Sequence, residues 1–377
     1  MMKSTALFAT LITAFFATGA CSQDGTPDTT NEPVSLDQKI GQMLNVGFRG
    51  TSLSDTNHIV RDINQYHLGS VTLFDYDVPK DTALRNIQSP DQVKTLISDL
   101  QEQAQTPLFV AVDQEGGQVA RLKPERGFPS TVSAQYLGEL NNSDSTRHYA
   151  RQMARTLSEL GFNLNFTPVV DLNTNPGNPV IGGLKRSFSA DPQTVVKHAS
   201  IYIQALHEQD IVTVLKHFPG HGSSEKDSHL VVVDVTETWS KEELIPYRKL
   251  INDGLIDMIM TAHIFNAQWD TTYPATLSKP VITGMLRDQL NFEGVIISDD
   301  LMMGAIRKEY GLETAVRQAL LAGVDILTFG NNAIYDPEIV PKVNSIIHRL
   351  LEEGAISPER IDQSYQRIMA LKKQRLR

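Results

Sequence analysis

Cysteine is almost missing from this chain: among 377 residues there is one, Cys21. An internal disulfide and a cysteine-built zinc site are therefore excluded. Positive charge is also in deficit, with 34 Lys and Arg against 44 Asp and Glu and a formal net charge of −10. Nucleic acid needs a basic face, so no nucleic-acid partner is expected. Beyond the N-terminal region there is no apolar run of the roughly 20 residues needed to span a bilayer. No Gly-x-Gly-x-x-Gly follows the first apolar run, so a dinucleotide site has no support.

What is present begins with an export signal. Lys3 gives a positive start, Ala6 to Phe16 is an apolar run, and Thr18-Gly-Ala-Cys21 supplies small residues before the cysteine. This resembles a bacterial lipoprotein signal, which implies cleavage before Cys21 and a lipid on its thiol. Cleavage near Ala20 of an ordinary signal peptide is the alternative. Residues 22–33 are polar and rich in Thr, Asp, Asn and Pro, as in a disordered tether. The expected division is a signal over 1–20, a tether over 21–34 and one folded domain over 35–377. The expected location is a membrane-anchored, periplasm-facing lipoprotein acting as a monomer.

From Ser35 onward, short apolar runs alternate with amphipathic helical patterns. Candidate strands are 44–48, 69–73, 108–112, 163–170, 211–215, 258–260, 295–297 and 326–329. Capping signals stand between them: Ser35-Leu-Asp-Gln38, Ser89-Pro-Asp-Gln92, Asp191-Pro192, Ser240 with Glu243, and Ser357-Pro358. Eight strands alternating with helices predict right-handed βαβ units closed into a (β/α)8 TIM barrel, an α/β fold with a single catalytic domain. Function in such a barrel belongs to the C-terminal ends of the strands. Asp113, Lys216, His217 and Asp299 all fall there.

The densest stretch is Lys216-His-Phe-Pro-Gly-His-Gly-Ser-Ser-Glu-Lys-Asp-Ser-His229. Pro219, Gly220 and Gly222 forbid regular structure, so it reads as an exposed loop leaving a core strand. Asp227 and His229, two apart, point the same way if extended. A carboxylate beside an imidazole orients the ring and favours its cation, which suits a general acid and base. Taken alone, Asp-Ser-His also fits a plain surface loop. In Ser298-Asp299-Asp300, one aspartate fits a helix cap and the other a glycosidase nucleophile. Asp113, Arg121, Arg186, Lys216 and His217 supply donors and acceptors of the kind sugar hydroxyls need. A metal site on His217, His221, Asp227 and His229 is a rival, but Pro219-Gly220 denies the first pair a helix. A non-catalytic, lipid-anchored sugar-binding protein is another; it leaves Asp299 and the acid–base pair unexplained.

Four stretches together resemble the glycoside hydrolase family 3 β-N-acetylhexosaminidases: Val112-Asp-Gln-Glu-Gly-Gly-Gln-Val-Ala-Arg121, Lys185-Arg-Ser-Phe188, Lys216 to Gly222 with Asp227-Ser-His229, and Ser298-Asp-Asp-Leu-Met-Met303. The resemblance implies a TIM barrel. It also implies Asp299 as nucleophile, His229 as acid/base assisted by Asp227, and substrate contacts from Asp113, Arg121, Arg186, Lys216 and His217. Release of non-reducing-end β-N-acetylglucosamine from peptidoglycan fragments or chito-oligosaccharides follows, with no metal and no cofactor. A β-glucosidase of the same superfamily is the alternative enzyme.

Overall fold

The computed structural model describes residues 1–2, 33–54, 57–227 and 231–376. Cys21 and His229 lie outside the described residues. From Ser35 to Arg377 the chain packs as one compact unit. Eight parallel strands form its centre: β1 (Leu44–Gly47), β2 (Ser70–Thr72), β3 (Phe109–Val112), β4 (Leu164–Asn165), β5 (Val212–Phe218), β6 (Met258–Thr261), β7 (Val295–Ile297) and β8 (Leu327–Phe329). They pair in the sequence β7-β6-β5-β4-β3-β2-β1-β8. A parallel bridge between Ile297 and Ile326 joins the two ends, so the sheet closes into the expected (β/α)8 barrel. The strands are buried on both faces, which is why they read as continuous apolar runs.

The helices start where their caps predict. At α1 (Leu36–Gln42), Ser35 Oγ accepts the Gln38 N–H while Gln38 Oε1 accepts the Ser35 N–H, a complete capping box. α2 (His58–Tyr66) and α3 (Pro90–Gln103) follow, then α4 (Ala134–Leu140) and α5 (Ser143–Leu160). α5 ends at Gly161, whose φ of 92° supplies the left-handed cap. Asp191 caps α6 (Pro192–His207) through the Gln193 and Thr194 N–H groups. Next come α7 (Ile245–Asn252), a π-helical segment (Pro280–Gln289), α8 (Gly304–Ala322), α9 (Ile339–Glu352) and α10 (Pro358–Arg375).

Three segments differ from expectation. The regular ladder of β4 stops at Asn165, although the Thr167 carbonyl still accepts the Val214 N–H at 3.0 Å, and a bridge re-forms at Val169–Lys216; Pro168, between them, has no N–H for a ladder. β5 runs on through Lys216 and His217, so these are strand residues, not loop residues. Lys216, His217 and His221 are each at least nine-tenths buried, which corrects the picture of an exposed loop. At Ser240, the hydroxyl accepts the Glu242 N–H, and the Glu243 side chain does not return to close a capping box; it points elsewhere.

The N-terminal mouth of the barrel is shut by α10. Lys372 Nζ donates to Gln42 Oε1 (2.7 Å), the Gly69 carbonyl (2.8 Å) and the Pro107 carbonyl (2.7 Å), beneath β2 and β3. Arg375 pairs with Asp257 before β6, and Arg360, Ser364 and Arg367 gather on Asp325 before β8. Access to the barrel interior is therefore from the opposite face. Lys372→Met keeps the apolar stem but takes the ammonium donor from Gln42 Oε1 and the Pro107 carbonyl, the Gly69 carbonyl keeping the Phe109 N–H, so it should cost roughly 2–4 kcal/mol in urea unfolding. A loss below about 0.5 kcal/mol, the range of surface substitutions, would show that α10 is not held by this contact.

Candidate active site

The site is built from the ends of β3, β4, β5 and β7. β3 delivers Asp113, and the short hairpin of Gln114–Gly116 with Val119–Ala120 follows at once. That hairpin carries Glu115 inward and places Arg121 at its exit. Asn165 stitches it to β4: its side chain accepts the Gln114 N–H and donates to the Gln114 carbonyl, both at 3.0 Å.

Glu115 is the hub. Its carboxylate takes Arg186 in a two-point clasp, at 2.8 and 2.7 Å, and Lys216 Nζ at 2.6 Å. Lys216 also donates to Asp113 Oδ1 at 2.8 Å. Arg121 reaches Asp113 Oδ2 at 3.7 Å, on the partly exposed edge of the cluster. Burial works against charge on Glu115, but Arg186 and Lys216 outweigh it and bring its pKa down to about 2. Asp113 is likewise held below the ordinary carboxylate range, burial opposing and Lys216 with Arg121 prevailing.

His217 is fixed from both sides. Its Nδ1 lies 2.7 Å from Asp171 Oδ2, and Arg186 donates to its Nε2 at 3.2 Å. The guanidinium has no lone pair, so Nε2 accepts and the ring proton sits on Nδ1. Both nitrogens are thus engaged, which speaks against His217 as the metal ligand of the rival reading. Asp171, two residues beyond the Val169–Lys216 bridge, also accepts the backbone N–H groups of His217 (3.1 Å) and His221 (2.8 Å).

Two further amides continue that row. Gly222 and Ser223 donate to Glu243, at 3.2 and 3.1 Å. Glu243 is 1% exposed, and burial, reinforced by Asp171, pushes its carboxyl up to about 8. Asp227 follows four residues later, half-buried, its carbonyl accepting the Val231 N–H at 3.3 Å.

At the end of β7 the two aspartates divide. Asp300 Oδ1 accepts the Met302 and Gly330 N–H groups, each at 2.9 Å, and locks the β7 and β8 ends together. α8 begins later, at Gly304, and takes no side-chain cap. Asp299 stands half-buried at the strand end, its Oδ1 accepting the Asp300 N–H at 2.8 Å. Asp113, Arg121, Arg186, Lys216 and His217 thus form one connected cluster; Asp227 stands on the loop after β5 and Asp299 at the end of β7. The residues that sequence reasoning passed over are Glu115, Asp171 and Glu243. Glu115 had a signal, standing two residues beyond Asp113 in an alternating run. Glu243 was hidden behind a capping pattern.

The family described as "Glycosyl hydrolase family 3 N terminal domain" matches residues 35–371. The chain is 31% identical to Beta-hexosaminidase A of Pseudoalteromonas piscicida across 90% of its own length, and spans 61% of that protein. It is 32% identical to Beta-hexosaminidase LpqI of Mycobacterium tuberculosis, covering 89% of this chain and 82% of the relative. Among solved structures, a glycoside hydrolase family 3 beta-N-acetylglucosaminidase from Paenibacillus sp. str. FPU-7 superposes with a TM-score of 0.82 at 34% identity, over 91% of this chain and 63% of that one. Beta-N-acetylhexosaminidase from Beutenbergia cavernae gives 0.80 at 26% identity, over 91% and 100%.

Glu243 makes stability depend on pH with a definite sign. Its carboxyl ionises near 4.5 when unfolded and near 8 when folded. Between those values the folded chain keeps a proton the unfolded chain has lost, so its contribution is whole below pH 4.5 and gone above about pH 8. Glu243→Gln has no such titration. Its unfolding free energy should gain on wild type steadily from pH 4.5 to 8 in urea titrations. A difference that stays constant across that window would place the Glu243 carboxyl in a polar, solvated setting instead.

Proposed function

The chain belongs to glycosyl hydrolase family 3, and from that membership we propose a retaining exo-β-N-acetylglucosaminidase. It would release non-reducing-end N-acetylglucosamine from peptidoglycan fragments or chito-oligosaccharides. The observation that carries this reading is the charged cluster Asp113–Lys216–Glu115–Arg186–His217 at the open end of the barrel. Its outer members, Asp113 and Arg121, are the partly exposed ones. They would take the sugar hydroxyls, with Arg186, Lys216 and His217 behind them.

In the proposed reaction Asp299 attacks the anomeric carbon as the bond to the leaving oxygen breaks. His229 gives its proton to that oxygen, and the sugar becomes an ester of the Asp299 carboxylate. His229 then takes a proton from water, whose oxygen attacks the same carbon and frees Asp299. Two inversions keep the β configuration. Asp227 keeps the imidazole oriented and its cation accessible. The Asp300 N–H on Asp299 Oδ1 would hold the nucleophile in place. No metal and no cofactor enter this scheme.

We extend the proposal to the N-terminus: cleavage before Cys21, lipid on its thiol, a tether over 21–34, and a folded domain from 35 acting as a monomer on the periplasmic side. Among the described residues no helix is long and apolar enough to cross a membrane. Cys21→Ser should move the protein from the membrane to the soluble fraction. An unchanged distribution, with no lipid on the wild-type N-terminus, would make Cys21 part of an ordinary signal.

The activity test uses aryl β-glycosides with and without the N-acetyl group. N-acetyl-β-glucosaminides should be strongly preferred; equal rates on β-glucosides would favour the β-glucosidase reading. Asp299→Ala should abolish turnover on every substrate. His229→Ala should lower kcat/KM by about 10²–10⁴-fold where the leaving group is poor and little on a dinitrophenyl glycoside, which needs no proton. An α-configured first product by NMR would rule out the covalent route.

A further inference from the structure

Glu243 is a buried ionisable group that the reaction scheme leaves unused, and its contacts fall on the segment that leads to Asp227. It stands in the helical turn Lys241–Leu244, before α7. Sequence pattern assigns it to a capping box with Ser240, yet the carboxylate turns the other way. Its oxygens accept the N–H groups of Gly222 and Ser223. The preceding amide, His221, goes to Asp171. Three successive N–H groups thus converge on two buried carboxylates.

The carbonyl side of the same segment is also occupied. Asn178 Nδ2 donates to the His221 carbonyl at 2.7 Å and to that of Gly222 at 3.2 Å, and Asn175 Nδ2 donates to the Ser224 carbonyl at 2.9 Å. Glycine is required against Glu243: a Cβ on Gly220, whose φ is 120°, would stand 2.4 Å from Glu243 Oε2. The other wall is as tight, since a Cβ on Gly222 would stand 1.7 Å from the Leu172 carbonyl oxygen. Beyond Ser224 the chain turns outward, with Glu225 and Lys226 exposed before Asp227.

We infer that Glu243 is a positioning residue for the acid–base half of the reaction, clamping Gly220–Ser223 so that the chain leaves toward Asp227 from a fixed point. The inference rests on the proposed roles of Asp227 and His229. Glu243 touches neither substrate nor reacting atoms; it acts through backbone geometry. Misplacement of a catalytic group by about 1 Å costs on the order of 10²-fold in rate. The cost should fall on proton donation and spare the attack by Asp299, which hangs from β7. The groups packed around the Glu243 carboxyl are Asp171 and Tyr247, with His221 beside Asp171. With an ionisation near 8 the carboxyl is mostly neutral at pH 7, so glutamine is its close replacement.

The test compares wild type, Glu243→Ala and Glu243→Gln at pH 7 on N-acetyl-β-glucosaminides with poor and with dinitrophenyl leaving groups. Glu243→Ala should lose about 10²-fold in kcat/KM on the poor leaving group and little on the activated one. Glu243→Gln, which still offers an oxygen to one N–H, should lose less. Amide exchange at Gly222 and Ser223 should rise in Glu243→Ala while Val214 and Ile259 stay protected. An equal loss on both substrates, or no loss on either, would overturn the inference. If Glu243→Ala does not fold, Glu243→Gln carries the same two comparisons. If wild type does not hydrolyse N-acetylglucosaminides, the functional reading fails instead; unchanged exchange at Gly222 and Ser223 would then separately overturn the clamp.

Discussion

Burying Glu115 constrains the whole upper face of this barrel. A carboxylate that is 7% exposed is tolerable only if its lone pairs are filled by cations with good geometry. Arg186 and Lys216 fill them, and each brings a further obligation. Arg186 must also meet the Val180 carbonyl and His217; Lys216 must also meet Asp113. Removing any one member leaves a buried charge uncompensated, typically a loss of 3–5 kcal/mol. The side chains proposed to grip the sugar are therefore rigid before any substrate arrives. The cluster is better understood as preorganisation than as stabilisation, because an apolar core of equal volume would hold the fold as well.

A second constraint governs the end of β5 and the loop after it. Backbone amides inside a protein must find acceptors. Here those of His217, His221, Gly222 and Ser223 find carboxylates, not a strand partner. Asp171 serves the histidine end and Glu243 the far end. Two acidic groups so close cannot both ionise cheaply, and the structure resolves the conflict by environment. Asp171 is held below the usual range, burial opposing and His217 prevailing, while burial and Asp171 raise Glu243.

The two ends of the barrel have separate tasks. Underneath, α10 supplies Arg360, Ser364, Arg367, Lys372 and Arg375 to the strand starts and seals that mouth. On top, strand ends release side chains into loops, and there the charged cluster, Asp227 and Asp299 are found. This is the usual division in TIM barrels, where the N-terminal face carries stability and the C-terminal face carries the chemistry.

The eight strands, their order and the helix starts at Ser35 and Asp191 were legible from sequence, because apolar period and capping are local properties that a neighbouring few residues decide. So was the placement of Asp113, Lys216, His217 and Asp299 at strand ends. The continuation of β5 through Lys216 and His217 was not legible, since charged residues followed by Pro and Gly look like a solvated turn. Nor was the work of Glu115, Asp171 and Glu243. Glu115 meets a lysine 101 positions away and an arginine 71 away; Asp171 and Glu243 reach the β5 loop from 46 and 21 positions off. Whether a carboxylate is solvated, paired or held neutral depends on what the closed barrel brings against it, and no pattern along the chain encodes that. Local sequence determined which elements form and where they end; only the closure of the barrel decided which charges are buried together.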